Sequence, residues 1–146
     1  MVSDWARIQI EKKTAQKGVK KKASKFGAVK TRKIVKMVKD GEILEEDILF
    51  DSKSELRFYE TTLLPLVLAK EIINLSFHNV YELQPKFEKN GRKFSAIKYE
   101  ADFVVQYKDG SEEIIDVKGF STPVFKLKQR LFEYKYPDKT IKLVMV

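Results

Sequence analysis

Two short stretches of the chain combine side chains that could do chemistry together. One is Tyr-Glu-Ala-Asp-Phe at 99–103, and the other is Asp116-Val117-Lys118. Both lie on apolar segments that predict β strands joined by a tight Asp-Gly turn. Because residues two apart share a strand face, Asp116 and Lys118 project together, and hairpin pairing brings Asp102 near Asp116. Two carboxylates and an ammonium group at one sheet edge predict a binding site for a divalent metal ion and an activated water.

Each part of this pattern also has an ordinary structural explanation. Asp116 and Lys118 could form a surface ion pair, which contributes under ~1 kcal/mol to stability. Glu55 stands three residues after Ser52, which is the spacing of a helix capping box. Taken together, the three carboxylates and the lysine favour a site. The ion-pair interpretation predicts little sensitivity to metals, so an experiment with metal ions separates it from the metal-site interpretation.

The composition limits the classes of protein that need consideration. The chain has 146 residues, 43% hydrophobic and 12% aromatic, which predicts a folded protein with one core. It has no cysteine, which excludes disulfides, zinc–thiolate sites and thiol catalysis. A single histidine, His78, disfavours a histidine-rich metal site or a Ser-His-Asp triad. No run approaches the roughly 18 apolar residues of a membrane span, and the N-terminus lacks a signal-peptide pattern. We therefore expect a soluble, intracellular protein without a membrane partner.

The net charge of +8 is unevenly distributed. Residues 11–39 contain twelve Lys or Arg and one acid, whereas residues 40–60 contain eight acids. We interpret residues 1–40 as a basic N-terminal arm and residues 41–146 as the folded domain. Basic clusters of this density indicate nucleic-acid binding, although a solvated tail that aids solubility has the same composition. The basic residues expected to bind DNA are Lys20, Lys21, Lys22, Lys25, Lys30, Arg32 and Lys33.

The first half of the chain predicts helices. A short helix is expected over 30–38, with a break at the following Asp-Gly pair. Asp51 or Ser52 can cap a helix whose apolar positions have helical spacing. Pro65 is expected to kink or divide this helix, which is predicted to continue to about residue 73.

The second half predicts strands at 81–87, 97–107 and 112–118, with a hairpin turn at 88–91. Pro123 follows a Ser-Thr cap and begins a helix to about residue 134. Its stripe of Val124, Leu127, Leu131 and Tyr134 is expected to pack inward. A last apolar strand covers 140–146. The order α-β-β-β-α-β predicts an α/β fold with a central mixed sheet flanked by helices.

These residues carry a resemblance to a known superfamily. Glu55 on its helix, the strand containing Asp102, the Asp116-to-Lys118 strand and the helix after it resemble the core of the PD-(D/E)XK nucleases over 51–146. The phrases at 50–55, 83–87, 99–103 and 116–119 resemble, more narrowly, phage-encoded nuclease-like proteins grouped with Holliday-junction resolvases. The D-x-K motif alone is weak, whereas the ordered set is far more specific. Ala101 replaces the proline of the motif, a variation common in the superfamily. The resemblance implies a restriction-endonuclease-like core.

The resemblance also implies roles for the candidate residues. Asp102 and Asp116 would bind Mg²⁺ directly, for which Mn²⁺ can substitute, and the carbonyl of Val117 would supply a third oxygen. Glu55 would bind a metal directly or through water. Lys118 would position or deprotonate the attacking water. One metal ion and two remain alternatives, because three carboxylates can hold a second ion.

Several other polar residues are weaker candidates. Gln84 would line the site by resemblance, or would be an ordinary strand-edge amide. Thr122, Lys126 and Lys128 follow the D-x-K strand and could contact the scissile phosphate or the DNA backbone. Of the two lysines, Lys128 is the stronger candidate for a DNA contact. The ordinary alternative is a lysine whose carbon chain covers apolar surface while its charge stays in water. His78 is interpreted as a loop or surface residue.

The sequence therefore predicts a metal-dependent endonuclease acting on branched DNA such as a Holliday junction. By resemblance, it would work as a homodimer in DNA recombination, in the host cytoplasm if it is phage-encoded. Two alternatives remain open. One is a restriction- or replication-linked nuclease on duplex or single strands, and the other is a non-catalytic DNA-binding module.

Overall fold

The computed structural model describes residues 29–146, so the predictions for Lys20, Lys21, Lys22 and Lys25 lie outside the described residues. A π-helical turn (Tyr59–Leu63) joins the first two α-helices. In chain order the elements are β1 (Thr31–Lys39), β2 (Glu42–Phe50), α1 (Lys53–Phe58), α2 (Leu64–Leu68), β3 (Ile72–Phe77), β4 (Val80–Gln84), β5 (Phe87–Lys89), β6 (Arg92–Phe94), β7 (Ile97–Glu100), β8 (Phe103–Tyr107), β9 (Glu112–Lys118), α3 (Pro123–Lys135) and β10 (Ile141–Met145).

A six-stranded sheet in the order β10-β9-β8-β3-β1-β2 forms the centre of the fold. β9 and β10 are parallel and the other neighbours are antiparallel. The predicted α/β class with a central mixed sheet is therefore confirmed. Two further pairs, β4-β7 and β5-β6, form separate two-stranded sheets. No helix within residues 29–146 is long and apolar enough to cross a membrane.

The helix predicted over 30–38 is wrong, because this segment is strand β1. Its β-branched residues favour a pleated conformation, and it pairs along its whole length with β2. Asp40 and Gly41 connect the strands with φ of 50° and 80°, the left-handed geometry of a two-residue hairpin turn. The arm boundary predicted at residue 40 falls in this turn, so residues 31–39 belong to the sheet.

The long helical segment begins where the capping signal predicts. The Ser52 side chain accepts a hydrogen bond from the Glu55 N–H at the start of α1. The predicted division also occurs: the π-helical turn precedes Pro65, whose ring removes an N–H and crowds the carbonyl four residues earlier. The predicted end near residue 73 is wrong. Lys70 adopts a left-handed φ of 59° that stops the helix after Leu68, and β3 follows.

The predicted strands 81–87 and 97–107 are each shorter in the structure. β4 ends before Pro85 and pairs with β7, outside the central sheet. The chain then changes sheets at Ala101 and Asp102, because β8 pairs with β3 and β9. The hairpin predicted at 88–91 is confirmed as the β5–β6 turn.

Two apolar clusters cover the two faces of the sheet. One joins β1, β2, β3, β8 and β9 to the helical segment 53–68, and the other joins β4, β7, β9 and β10 to α3. The inward face predicted for α3 is wrong for three of its four residues: Val124, Leu127 and Tyr134 are 62%, 56% and 89% exposed, whereas Leu131 packs against the second cluster. Phe125 and Phe132 are buried instead, because aromatic side chains from β4 and β7 pack against them.

Candidate functional site

Asp102 lies where the chain passes from β7 to β8. Its backbone N–H donates to the Ile115 carbonyl at 3.1 Å, which continues the antiparallel register and places it opposite Asp116. Oδ2 of Asp102 accepts a hydrogen bond from the Val117 N–H at 2.7 Å. The pairing expected from the two strands therefore brings both aspartates together, and the backbone of β9 orients the Asp102 carboxylate.

Asp116 is 2% exposed at the end of β9. The Tyr99 hydroxyl donates to its Oδ2 at 2.7 Å. Lys118 Nζ lies 3.1 Å from Oδ1, but the contact lacks hydrogen-bond alignment, and within residues 29–146 Oδ1 has no hydrogen-bond partner. Lys118 also lies 4.4 Å from the centre of the Phe125 ring. The predicted shared face is confirmed, and Oδ1 of Asp116 has an ion-pair partner in Lys118 but no hydrogen-bond donor among the described residues.

Glu55 is contributed by α1 and is 5% exposed. Its Oε2 accepts from the Asp51 N–H at 3.3 Å, while its own N–H donates to Ser52 Oγ at 3.1 Å. Burial, and then repulsion from Asp51 and Asp116, raises the pKa of Glu55 to about 7. Glu55 therefore serves as a capping residue and is electrostatically coupled to the aspartates.

Burial also raises the pKa of Asp102 to about 8, with repulsion from Glu55 and Asp116 as the next causes. The Val117 N–H and Lys118 act in the opposite direction but do not offset these effects. Burial, followed by the charge of Asp116, raises the pKa of Tyr99, so its hydroxyl stays protonated and donates. We refer to Glu55, Asp102 and Asp116 as the carboxylate cluster, and its mutual repulsion would be relieved by a cation.

An open cleft of about 630 Å³ lies beside this cluster. Four of the predicted site residues line it: Glu55, Val117, Lys118 and Thr122. Thr122 also caps α3, because its Oγ1 accepts from the Phe125 N–H at 3.0 Å. The remaining lining residues are Val29, Asp51, Ser52, Lys53, Ser54, Gly119 and Phe120. The cleft gives a large ligand access to Glu55 and Lys118.

Sequence reasoning missed a second group of possible ligands beside the cluster. Ligand atoms of Asp51, Glu55 and His78 lie within 4.8 Å of one another. His78 has a left-handed φ of 55°, and its Nε2 is 3.1 Å from the Leu49 carbonyl. Its Nδ1 is 3.0 Å from Glu100 Oε1. No signal in the sequence brings residue 78 to residue 51, since β2 and β3 are separated by the helical segment.

Three described cations of the predicted DNA-binding set, all near the start of β1, face carboxylates of the same chain. Lys30 Nζ is 3.7 Å from Asp51 Oδ1, and Arg32 is 3.2 Å from Asp47. Lys33 contacts Glu60. The remaining candidates lie away from the cleft lining: Gln84 is exposed at the end of β4, Lys126 is exposed on α3, and Lys128 is half-buried on α3.

Comparison with known proteins identifies a family. Residues 35–146 match the model of a family described as "Protein of unknown function (DUF1064)". The chain belongs to the DUF1064 family. The match begins within β1 and covers the whole carboxylate cluster, Lys118 and Tyr99. Searches of curated proteins and of solved structures found no match. The DUF1064 description names no reaction, so the geometry of the site is what points to a function.

Proposed function

We propose that this chain is a metal-dependent endodeoxyribonuclease that hydrolyses phosphodiester bonds. The observation that carries the proposal is the position of Lys118 beside a cluster of three buried or half-buried carboxylates from α1, the β7–β8 break and β9. Together with the open cleft, this arrangement combines cation ligands, a cationic side chain and access for a large anionic substrate.

The connectivity around the site supports the same proposal. α1 is followed by the antiparallel strands β3, β8 and β9, and α3 then leads to β10 parallel to β9. This is the α-β-β-β-α-β order that the resemblance to PD-(D/E)XK nucleases implies. β1, β2 and the two small sheets are additions to that order. Because one fold hosts many activities, connectivity adds weight without deciding the reaction.

The residues fit a hard divalent cation such as Mg²⁺ or Mn²⁺. Carboxylate and carbonyl oxygens are its preferred ligands, and Asp116 Oδ1 has no hydrogen-bond partner within the described chain. Asp102, Asp116 and the Val117 carbonyl would hold the ion, with Glu55 bound directly or through water. A bound ion would stabilise the charge that develops on the phosphate.

Other groups of the chain would orient the reactants. The Tyr99 hydroxyl holds Oδ2 of Asp116, which leaves Oδ1 turned toward Lys118. Lys118 Nζ lies at the edge of the cleft, where its ammonium form would position the attacking water and its neutral amine form would accept the proton of that water. The aromatic ring of Phe125 restricts the Lys118 side chain and reduces the number of conformations it samples.

Branched DNA is the proposed substrate, and it rests on the resemblance to Holliday-junction resolvases. Cutting two symmetric strands requires two sites, so a homodimer is part of the proposal. Such an enzyme would act in the cytoplasm of the cell that contains the DNA. Restriction- or replication-linked cleavage of duplex or single strands and non-catalytic DNA binding are the alternatives that the experiment must separate.

The test compares the parent chain with Asp116→Asn on a labelled four-way junction, a matched duplex and a single strand. Each substrate is incubated with Mg²⁺, with Mn²⁺ or with chelator. We expect paired metal-dependent cuts near the branch. Asp116→Asn should lower the rate more than roughly 100-fold, which corresponds to about 2.7 kcal/mol. Asp138→Asn, an exposed aspartate beyond α3, is the matched control and should retain parental activity.

The outcomes distinguish the alternatives. Equal cutting of junction and duplex would support nuclease activity and exclude a preference for branched DNA. Binding of DNA without cutting, in a parent chain that is folded and supplied with metal, would favour the non-catalytic module. Equal activity of Asp116→Asn and the parent would exclude the carboxylate cluster as the reaction centre.

A further inference from the structure

The β5–β6 hairpin projects outside both apolar clusters. All three residues of β5 are exposed, as are two of the three in β6. Asn90 and Gly91 have φ of 53° and 72°, which suits the two-residue turns whose twist matches that of the strands. An isolated two-stranded hairpin is marginally stable, but Phe87 and Phe94 stack across it with centroids 4.6 Å apart and planes 8° apart. The hairpin therefore presents an ordered surface.

The two faces of this hairpin differ in chemistry. Phe87 pairs with Phe94 and Lys89 pairs with Arg92, and residues two apart share a face. One face therefore carries two aromatic rings and two cations, and Arg92 lies 5.0 Å from the centre of the Phe94 ring. On the opposite face the Glu88–Lys93 pair is balanced in charge. We call the first face, Phe87, Lys89, Arg92 and Phe94, the aromatic–cationic face.

We propose that the aromatic–cationic face binds nucleic acid. Lys89 and Arg92 would bind backbone phosphates, and Phe87, which is 42% exposed, would pack against a base or sugar ring. Charge complementarity favours a polyanion as the occupant, because this face carries two positive charges and no acid. Unlike Lys30, Arg32 and Lys33, these two cations face no carboxylate across the hairpin.

This inference rests on the proposed function, because it assigns the hairpin to the same DNA that the carboxylate cluster would cleave. β6 leads directly into β7, and Asp102 follows Phe94 by eight positions. At about 3.6 Å per residue for a fully extended chain, the two residues are separated by at most roughly 29 Å. That distance is less than one turn of a DNA duplex, about 34 Å. A single duplex arm could therefore contact both the hairpin and the site.

The test measures binding of the full chain to the labelled junction and duplex by fluorescence anisotropy, in chelator and over a series of salt concentrations. The double variant Lys89→Ala/Arg92→Ala should weaken binding roughly tenfold and reduce the slope of log affinity against log salt by about 1.8. Lys93→Ala, on the opposite face, should bind DNA with an affinity within about twofold of that of the parent chain. Phe87→Leu should weaken binding several-fold while leaving the salt slope unchanged.

Parental affinity in both the double variant and Phe87→Leu, in folded protein, would overturn the proposal. The proposal would also be overturned if Lys93→Ala lowered DNA affinity as much per charge removed as the double variant does. That result would indicate general electrostatic attraction to the hairpin, with no specific face. Binding is measured in chelator, so it is independent of catalysis. If the hairpin variants weaken DNA binding but the parent chain shows no metal-dependent cleavage, only the proposed nuclease activity is contradicted. Cleavage with no hairpin effect would contradict this inference alone.

Discussion

At the scale of single residues, the hydrogen bond from Tyr99 to Asp116 organises the candidate site. Tyr99 is 3% exposed, and its ring packs against Phe125 and Phe132. The hydroxyl is therefore held by the core while it donates to Oδ2 of Asp116 at 2.7 Å. Because a ligand held by a neighbouring hydrogen bond loses less freedom when it binds a metal, Tyr99 should increase both metal affinity and rate.

Tyr99→Phe removes this hydroxyl and keeps the ring. We expect metal-dependent cleavage to fall about 10–100-fold, with a higher metal concentration needed for half-maximal activity. Losing a buried hydrogen bond should also cost roughly 1 kcal/mol of unfolding free energy. The measurements are cleavage rates over a metal titration and urea unfolding.

Tyr81→Phe is the matched control, because Tyr81 stacks on Tyr99 within the same aromatic group. It should leave the metal titration unchanged. An equal shift in both variants would mean that the aromatic packing, and not the hydrogen bond to Asp116, controls metal affinity.

At the scale of elements, α1 is a short helix with two functions. It has six residues, too few to be stable alone, and Ser52 caps it through the Glu55 N–H. The Glu55 side chain returns to the Asp51 N–H at 3.3 Å. The same capping interactions therefore hold the helix start and the position of Glu55 at the cleft.

Ser52→Ala should lower the free energy of unfolding by about 1 kcal/mol, because the Glu55 N–H loses its acceptor. It should also reduce cleavage, since Glu55 gains freedom at the site. Urea unfolding and single-turnover rates measure the two effects. Ser52→Thr retains the capping hydroxyl and should restore most of both. If Ser52→Ala lowers stability but leaves the rate at the parental value, the position of Glu55 does not depend on this cap.

At the scale of the whole molecule, the carboxylate cluster makes stability depend on pH. The folded pKa of Glu55 is about 7 and that of Asp102 about 8, against ordinary values of 4.5 and 3.8. Both groups therefore bind protons more tightly in the folded chain than in the unfolded one. The stabilisation of the folded state by these two protonated groups is complete below pH 4 and is lost as pH rises through the folded pKa values of about 7 and 8. The free energy of unfolding therefore falls with rising pH between about pH 4 and pH 8.

We expect the free energy of unfolding in chelator to fall by on the order of 1–3 kcal/mol between pH 5.5 and 8.5. Mg²⁺ or Mn²⁺ should reverse the loss, with a larger shift in Tm at pH 8.5 than at pH 5.5, since cations bind deprotonated carboxylates. Thermal melts across this range measure both effects. Glu55→Gln/Asp102→Asn should flatten the profile and remove the metal response. A parent profile that rises with pH would contradict the raised pKa values.

How far the sequence predicts this fold depends on whether its signals are local. Ser52 and Glu55 have capping-box spacing, and both the cap and the division at Pro65 occur as predicted. The end of this helix was missed because Lys70 takes the left-handed position that glycine usually fills. The β1–β2 hairpin could have been found, since Asp40-Gly41 is a strong two-residue turn signal.

The α3 face was mispredicted because two apolar stripes lie on that helix. Val124, Leu127 and Tyr134 have helical spacing, as do Phe125 and Phe132. Helical periodicity identifies both stripes but cannot rank them. The choice depends on which partners lie beneath, and here the aromatic rings of β4 and β7 supply them.

Local patterns in the chain are sufficient to predict the mixed α/β class, the helix cap at Ser52 and the meeting of Asp102 with Asp116, because capping, strand periodicity and hairpin pairing act over short distances. The assembled fold is needed to bring Glu55 within electrostatic range of both aspartates, Tyr99 into hydrogen-bond contact with Asp116, and His78 close to Asp51. These contacts join residues far apart in the chain. They arise from the packing of whole elements, which local patterns do not specify.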